Sequence, residues 1–81
     1  MNKRKELFLI NLKPNEDAEL ISIVGGQMVN KRLADLGLIP GTKIRVLRKA
    51  PFFGPIEIEV RGSKLVLGKG VASKILVKKH E

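Results

Sequence analysis

The stretch RLADLGLIPGT, Arg32 to Thr42, decides how this chain folds. Ahead of it and into it, Val29, Leu33 and Leu36 recur at i, i+4 and i+7, one apolar stripe of a helix over Gln27–Leu36. Gly37 stops that helix, because the residue just past a helix end adopts a left-handed conformation that only glycine reaches cheaply. The residue after such a glycine packs back on the last helical turn, which suits Leu38. Pro40 and Gly41 then fit the two central positions of a type II turn, proline fixing φ near −65° and glycine accepting a positive φ. The corner turns a helix into a strand, with Gly37, Pro40 and Gly41 as its punctuation. Ile39 is left without a structural duty.

Downstream of the corner the apolar period drops to two. TKIRVLRK leads through APFFGP into IEIEV, where Ile56, Ile58 and Val60 alternate with Glu57 and Glu59, the pattern of a half-buried strand. Leu47 breaks the parity of Ile44 and Val46 and marks a bulge. RGSK turns the chain into LVLG, KGVAS connects, and KILVKK closes with another strand. Upstream, AELISIV is rich in β-branched residues and forms a strand before Gly25-Gly26, while Lys13-Pro14-Asn15 makes a turn. The sum is about five short strands, with one short helix inserted after the first long strand. A meander this small closes most economically into a barrel, which removes exposed edges. The expected fold is therefore mainly β, a small SH3-like barrel filling residues 1–81 as a single domain.

Composition narrows the chemistry. The 81 residues include no Cys, so neither disulfides nor thiolate metal sites exist, and aliphatic packing must hold the core. Lys and Arg outnumber Asp and Glu 16 to 8, a net charge of +8 that favours anionic partners without choosing among them. The basic start, MNKRKELFLINLK, lacks a long enough apolar run and a cleavage site for a signal peptide. The chain is expected to stay in the cytoplasm, with no membrane insertion of its own.

Catalysis finds no support. The single His, His80, stands beside the terminus with no second imidazole to complete a metal geometry, and Ser22, Ser63 and Ser73 have no partner base. Glu57 and Glu59 share one strand face and are the weak metal candidates; Arg45 and Lys49 on the preceding strand are their expected cross-strand partners. No Gly-Lys-Ser/Thr follows Gly25-Gly26, so a plain turn is favoured over a phosphate loop. A small basic nucleic-acid-binding barrel is an alternative, but single-strand binders add aromatic platforms, and only Phe8, Phe52 and Phe53 are available.

The run from Lys31 to Val77 resembles the ferrous iron transport protein A (FeoA) family. The resemblance rests on Leu33, Leu36, Gly37, Leu38, Pro40 and Gly41 at the corner. It continues through Ala50, Pro51, Gly54, Pro55 and Ile56 around the hairpin arm, then Leu67, Ala72 and Ile75 in the final strands. It covers about Ala18 to Val77. It implies an SH3-like barrel acting as a non-enzymatic cytoplasmic adaptor of ferrous iron uptake, docking on the cytoplasmic part of a FeoB-type membrane transporter. The module is also similar to the C-terminal domain of metal-dependent repressors, whose DNA-binding winged helix this chain is too short to include. No cofactor is required; Fe²⁺ association rests on the resemblance alone, since the sequence offers no soft or imidazole ligand set. The residues expected to meet the partner are Leu38, Ile39, Phe52 and Phe53, with weak self-association through an edge strand or the Phe pair left open.

Overall fold

The computed structural model describes residues 4–52 and 54–80. Among these, six strands form one antiparallel sheet: β1 (Arg4–Phe8), β2 (Asp17–Ile23), β3 (Lys43–Lys49), β4 (Ile56–Val60), β5 (Ser63–Leu67) and β6 (Ile75–His80). Their spatial order is β1-β6-β2-β3-β4-β5. Helix α1 (Gln27–Asp35) joins β2 to β3, a one-turn helix α2 (Lys69–Ala72) joins β5 to β6, and a 3-10 turn (Leu9–Asn11) follows β1.

Alternation builds the core. Ile56, Ile58 and Val60 of β4 are buried while Glu57 and Glu59 between them reach solvent, and Ile44 and Val46 of β3 repeat the pattern. With Leu20 of β2, Ile75 and Val77 of β6, and Leu9 and Leu12 from the segment after β1, they make one aliphatic cluster. Each such side chain contributes roughly 1.5–3 kcal/mol on leaving water, an upper bound because the unfolded chain already buries some surface.

The corner forms as its residues dictate. The N–H of Leu38 donates to the Leu33 carbonyl and that of Gly37 to the Ala34 carbonyl, both at 2.9 Å. These are the paired bonds of a Schellman helix end, with Gly37 at φ +91°. Pro40-Gly41 is a type II turn: Gly41 has φ +92°, and the N–H of Thr42 donates to the Ile39 carbonyl at 3.1 Å. The N–H of Gly41 then donates to the Leu20 carbonyl, and the N–H of Leu20 to the Thr42 carbonyl, each at 2.8 Å. Those two bonds lash the corner to β2.

Within the fold itself, the structure corrects the sequence reading in four places. Strands number six rather than about five, because Arg4–Phe8 adds to the outside of β6. The KGVAS connection is helical over Lys69–Ala72. Leu36 ends up half exposed, since α1 finishes at Asp35 and Leu36 becomes the cap residue rather than a member of the buried stripe. Lys49 does not pair with the β4 glutamates. The bulge at Leu47 is real, lying between the register pairs Val46↔Ile58 and Arg48↔Glu57. It puts Arg48 opposite Glu57 and turns Lys49 to the other face, where its ammonium caps the carbonyls of Ile10 at 2.6 Å and Leu12 at 2.8 Å.

Candidate functional site

The residues expected to meet a partner fall into three separate places. Leu38 is 1% exposed and belongs to the core, so its expected role in partner binding is corrected to sealing the end of α1. Ile39, next to it, is 40% exposed, because the type II turn swings it outward as Leu38 turns in. Phe52 is 95% exposed at the tip of the β3–β4 arm. Phe53 lies outside the described residues. Ile39 precedes β3 and Phe52 follows it, so strand rise alone sets them roughly 20 Å apart. They do not form one patch.

The arm is the more developed of the two surfaces. Its neck is closed by the N–H of Ala50 donating to the Pro55 carbonyl at 2.9 Å and the N–H of Gly54 to that of Pro51 at 3.2 Å. Phe52 has φ +57°, a left-handed conformation that a bulky side chain adopts only under constraint. Beside the arm a shallow recess of about 390 Å³ is lined by Pro51, Pro55, Val66, Arg48 and Glu57. Val66, on β5, was not singled out in the sequence; it is 64% exposed because β5 turns that face to solvent, and LVL offers no polar partner to reveal it. An exposed ring, two prolines and a valine with a charged rim give this end the makeup of a protein-contact surface.

Glu57 and Glu59 stay on one face of β4, but each has a cation across from it. Arg48 Nε is 3.7 Å from Glu57 Oε1, and Glu59 stands in register with Arg45 on one side and Lys64 on the other. Arg45 spends its guanidinium chiefly on Asp17, with Nε to Oδ1 at 2.7 Å and its terminal nitrogen to Oδ2 at 3.1 Å. That bidentate bond holds the Asp17 carboxyl below its ordinary range and raises the Arg45 guanidinium. Among the described residues no three His, Cys, Asp or Glu side chains converge on a point that could hold a metal ion. Among the same residues no helix is long and apolar enough to cross a membrane.

An antiparallel sheet around one aliphatic core, with a helix inserted through a glycine-capped corner and a proline-framed arm, defines a small SH3-like β module. The FeoA domain profile matches residues 9–79, and the chain belongs to the FeoA domain family. It is 33% identical over 69 residues to a Methanocaldococcus jannaschii protein carrying the name Fe(2+) transport protein A, covering 85% of this chain and 82% of that one. The fold superposes with a TM-score of 0.85 on the crystal structure of an iron uptake regulatory protein (FeoA), at 34% identity, over 93% of this chain and all of that one. It also superposes with a TM-score of 0.83 on part of a manganese-dependent transcriptional repressor, over 93% of this chain and 42% of that one. At 20% identity, that second likeness concerns the fold alone.

Proposed function

We propose that this chain is a non-enzymatic cytoplasmic accessory of ferrous iron uptake that docks on the cytoplasmic part of a FeoB-type transporter through the β3–β4 arm. Family membership supports the iron-uptake assignment, and one observation carries the docking surface: Phe52 is held almost fully in solvent by a closed hairpin neck. A hydrophobic ring in that position has nothing to gain within its own fold and much to gain from a partner's pocket. Ile39, at the other end of β3, is a second contact. Iron on this reading is the transporter's cargo, and the adaptor needs no metal of its own.

Chemical-shift titration of the labelled protein with the transporter's cytoplasmic domain tests the proposal. Shifts at Ala50–Pro55 that vanish in Phe52→Ser, with an unchanged melting temperature, are the expected result. Undiminished binding by Phe52→Ser, or shifts only elsewhere on the surface, would overturn the arm as the docking surface. Parallel titrations with Fe²⁺ and with a single-stranded oligonucleotide are expected to leave the arm unperturbed.

A further inference from the structure

An open groove of about 730 Å³ crosses the sheet at the Lys43 end of β3, away from the arm, and reaches the β4–β5 turn. Its charge is unevenly spent. Arg45 is bound to Asp17, and Lys78 Nζ lies 3.7 Å from Glu19. Lys43 and Arg61, also in its walls, make no ion pair within 4 Å among the described residues, although Lys43 stands in register with Glu19 and its charge acts on Asp17. The groove therefore offers Arg61 as free cationic charge, set within a frame of charges that already have acidic neighbours.

Arg61 is also in an unusual backbone position. Val60 and Ser63 pair directly, leaving Arg61 and Gly62 as a two-residue loop with φ +52° and +80°. Both positive values mark a type I′ turn, whose first position favours Asn, Asp or Gly because a longer side chain there is strained. An arginine serves this turn poorly, and folding gives no reason for it.

We infer that this groove binds an acidic protein segment, and that Arg61 is kept in the strained turn position to meet that segment's carboxylates together with Lys43. A nucleic-acid strand fits less well. Asp17, Glu19 and Glu59 also line the groove and would repel a continuous phosphate chain, and no aromatic ring is present there for a base to stack on. Discrete carboxylates can sit between those fixed negative charges. The inference is independent of docking through Phe52, which lies at the other end of β3.

The experiment is a titration of the labelled protein, at low salt, with a twelve-residue peptide that repeats Glu-Ser-Ser, so that its carboxylates are spaced. Expected are shifts at the amides of Lys43, Arg45, Arg61 and Gly62 with none at Ala50–Pro55. Arg61→Asn should bind about threefold more weakly, the scale of one exposed charge contact, while melting at a higher temperature because asparagine suits the turn. Arg61→Lys should bind as the parent does. Absence of shifts in the groove, equal binding by Arg61→Asn, or a lower melting temperature for that variant would overturn the inference. So would a dT decanucleotide that perturbs the same amides at lower concentration than the peptide, which would assign the groove to nucleic acid.

Discussion

The Cβ of Ala50 occupies the space that any side chain on Gly54 would need: a Cβ built there would lie 2.6 Å away, and 3.1 Å from the Pro51 carbonyl. Glycine at this position is required by contact across the arm's neck. Gly54→Ala is therefore expected to cost about 1–3 kcal/mol through overpacking. Adding Ala50→Gly should restore most of the loss. Urea denaturation of the two single variants and the double variant checks both statements, and a double variant no better than Gly54→Ala would refute the contact as the cause.

Leu38 and Ile39 are neighbours with opposite fates, one buried and one reaching solvent. Leu38→Ala is expected to destabilise by about 2–5 kcal/mol, because it opens a cavity against the end of α1. Ile39→Ala should change stability by less than about 0.5 kcal/mol. The two denaturation midpoints, measured side by side, decide the point.

At Gly37 the demand is for backbone conformation alone, since a Cβ there would meet nothing within 4 Å but would have to accept φ +91°. Gly37→Ala should cost about 1–2 kcal/mol, and Gly37→Asn less, as asparagine tolerates the left-handed region. Equal costs for the two would point to something other than φ.

Two carboxylates couple stability to acid. The Lys79 ammonium and then the Lys13 N–H, which donates to Glu16 Oε1 at 2.7 Å, hold the Glu16 carboxyl below its ordinary value of 4.5. The Arg45 guanidinium holds Asp17 below 3.8. Because the folded values lie below the unfolded ones, these groups stabilise fully above the ordinary values and lose that contribution as pH falls through the folded ones. Melting temperature should therefore drop on acidification below about pH 4.5. The gap between the parent and Glu16→Gln should narrow over the same range, and added salt should shrink it at neutral pH, where the ion pair is exposed to screening.

Much of this molecule is legible in its sequence where a residue's duty is local. Gly37, Pro40 and Gly41 announce the corner, and the alternation of Ile56 to Val60 announces a half-buried strand with its charged face outward. What the sequence hides depends on distant parts of the chain. Arg4–Phe8 has no clear period of its own and becomes a strand only because β6 offers it an edge. Lys49 misleads because one extra residue at Leu47 reverses which side of the sheet follows. The candidate surfaces divide in the same way: Phe52 is suggested by its place between prolines, whereas Val66 and the groove around Arg61 emerge only when strands far apart in sequence are laid side by side.

The position of β6 in the sheet also has a kinetic side. It is the last strand in chain order, yet it lies between β1 and β2, so two of the sheet's five pairings wait for residues 75–80. In a folding chain, β2 to β5 can pair as successive neighbours, but the edge of β2 stays open until β6 docks on it. Pairings across such long stretches of chain slow folding. The exposed edge of β2 is then the segment most in need of protection during folding, and a substitution that weakens β6 should reduce soluble yield more than its effect on equilibrium stability would suggest.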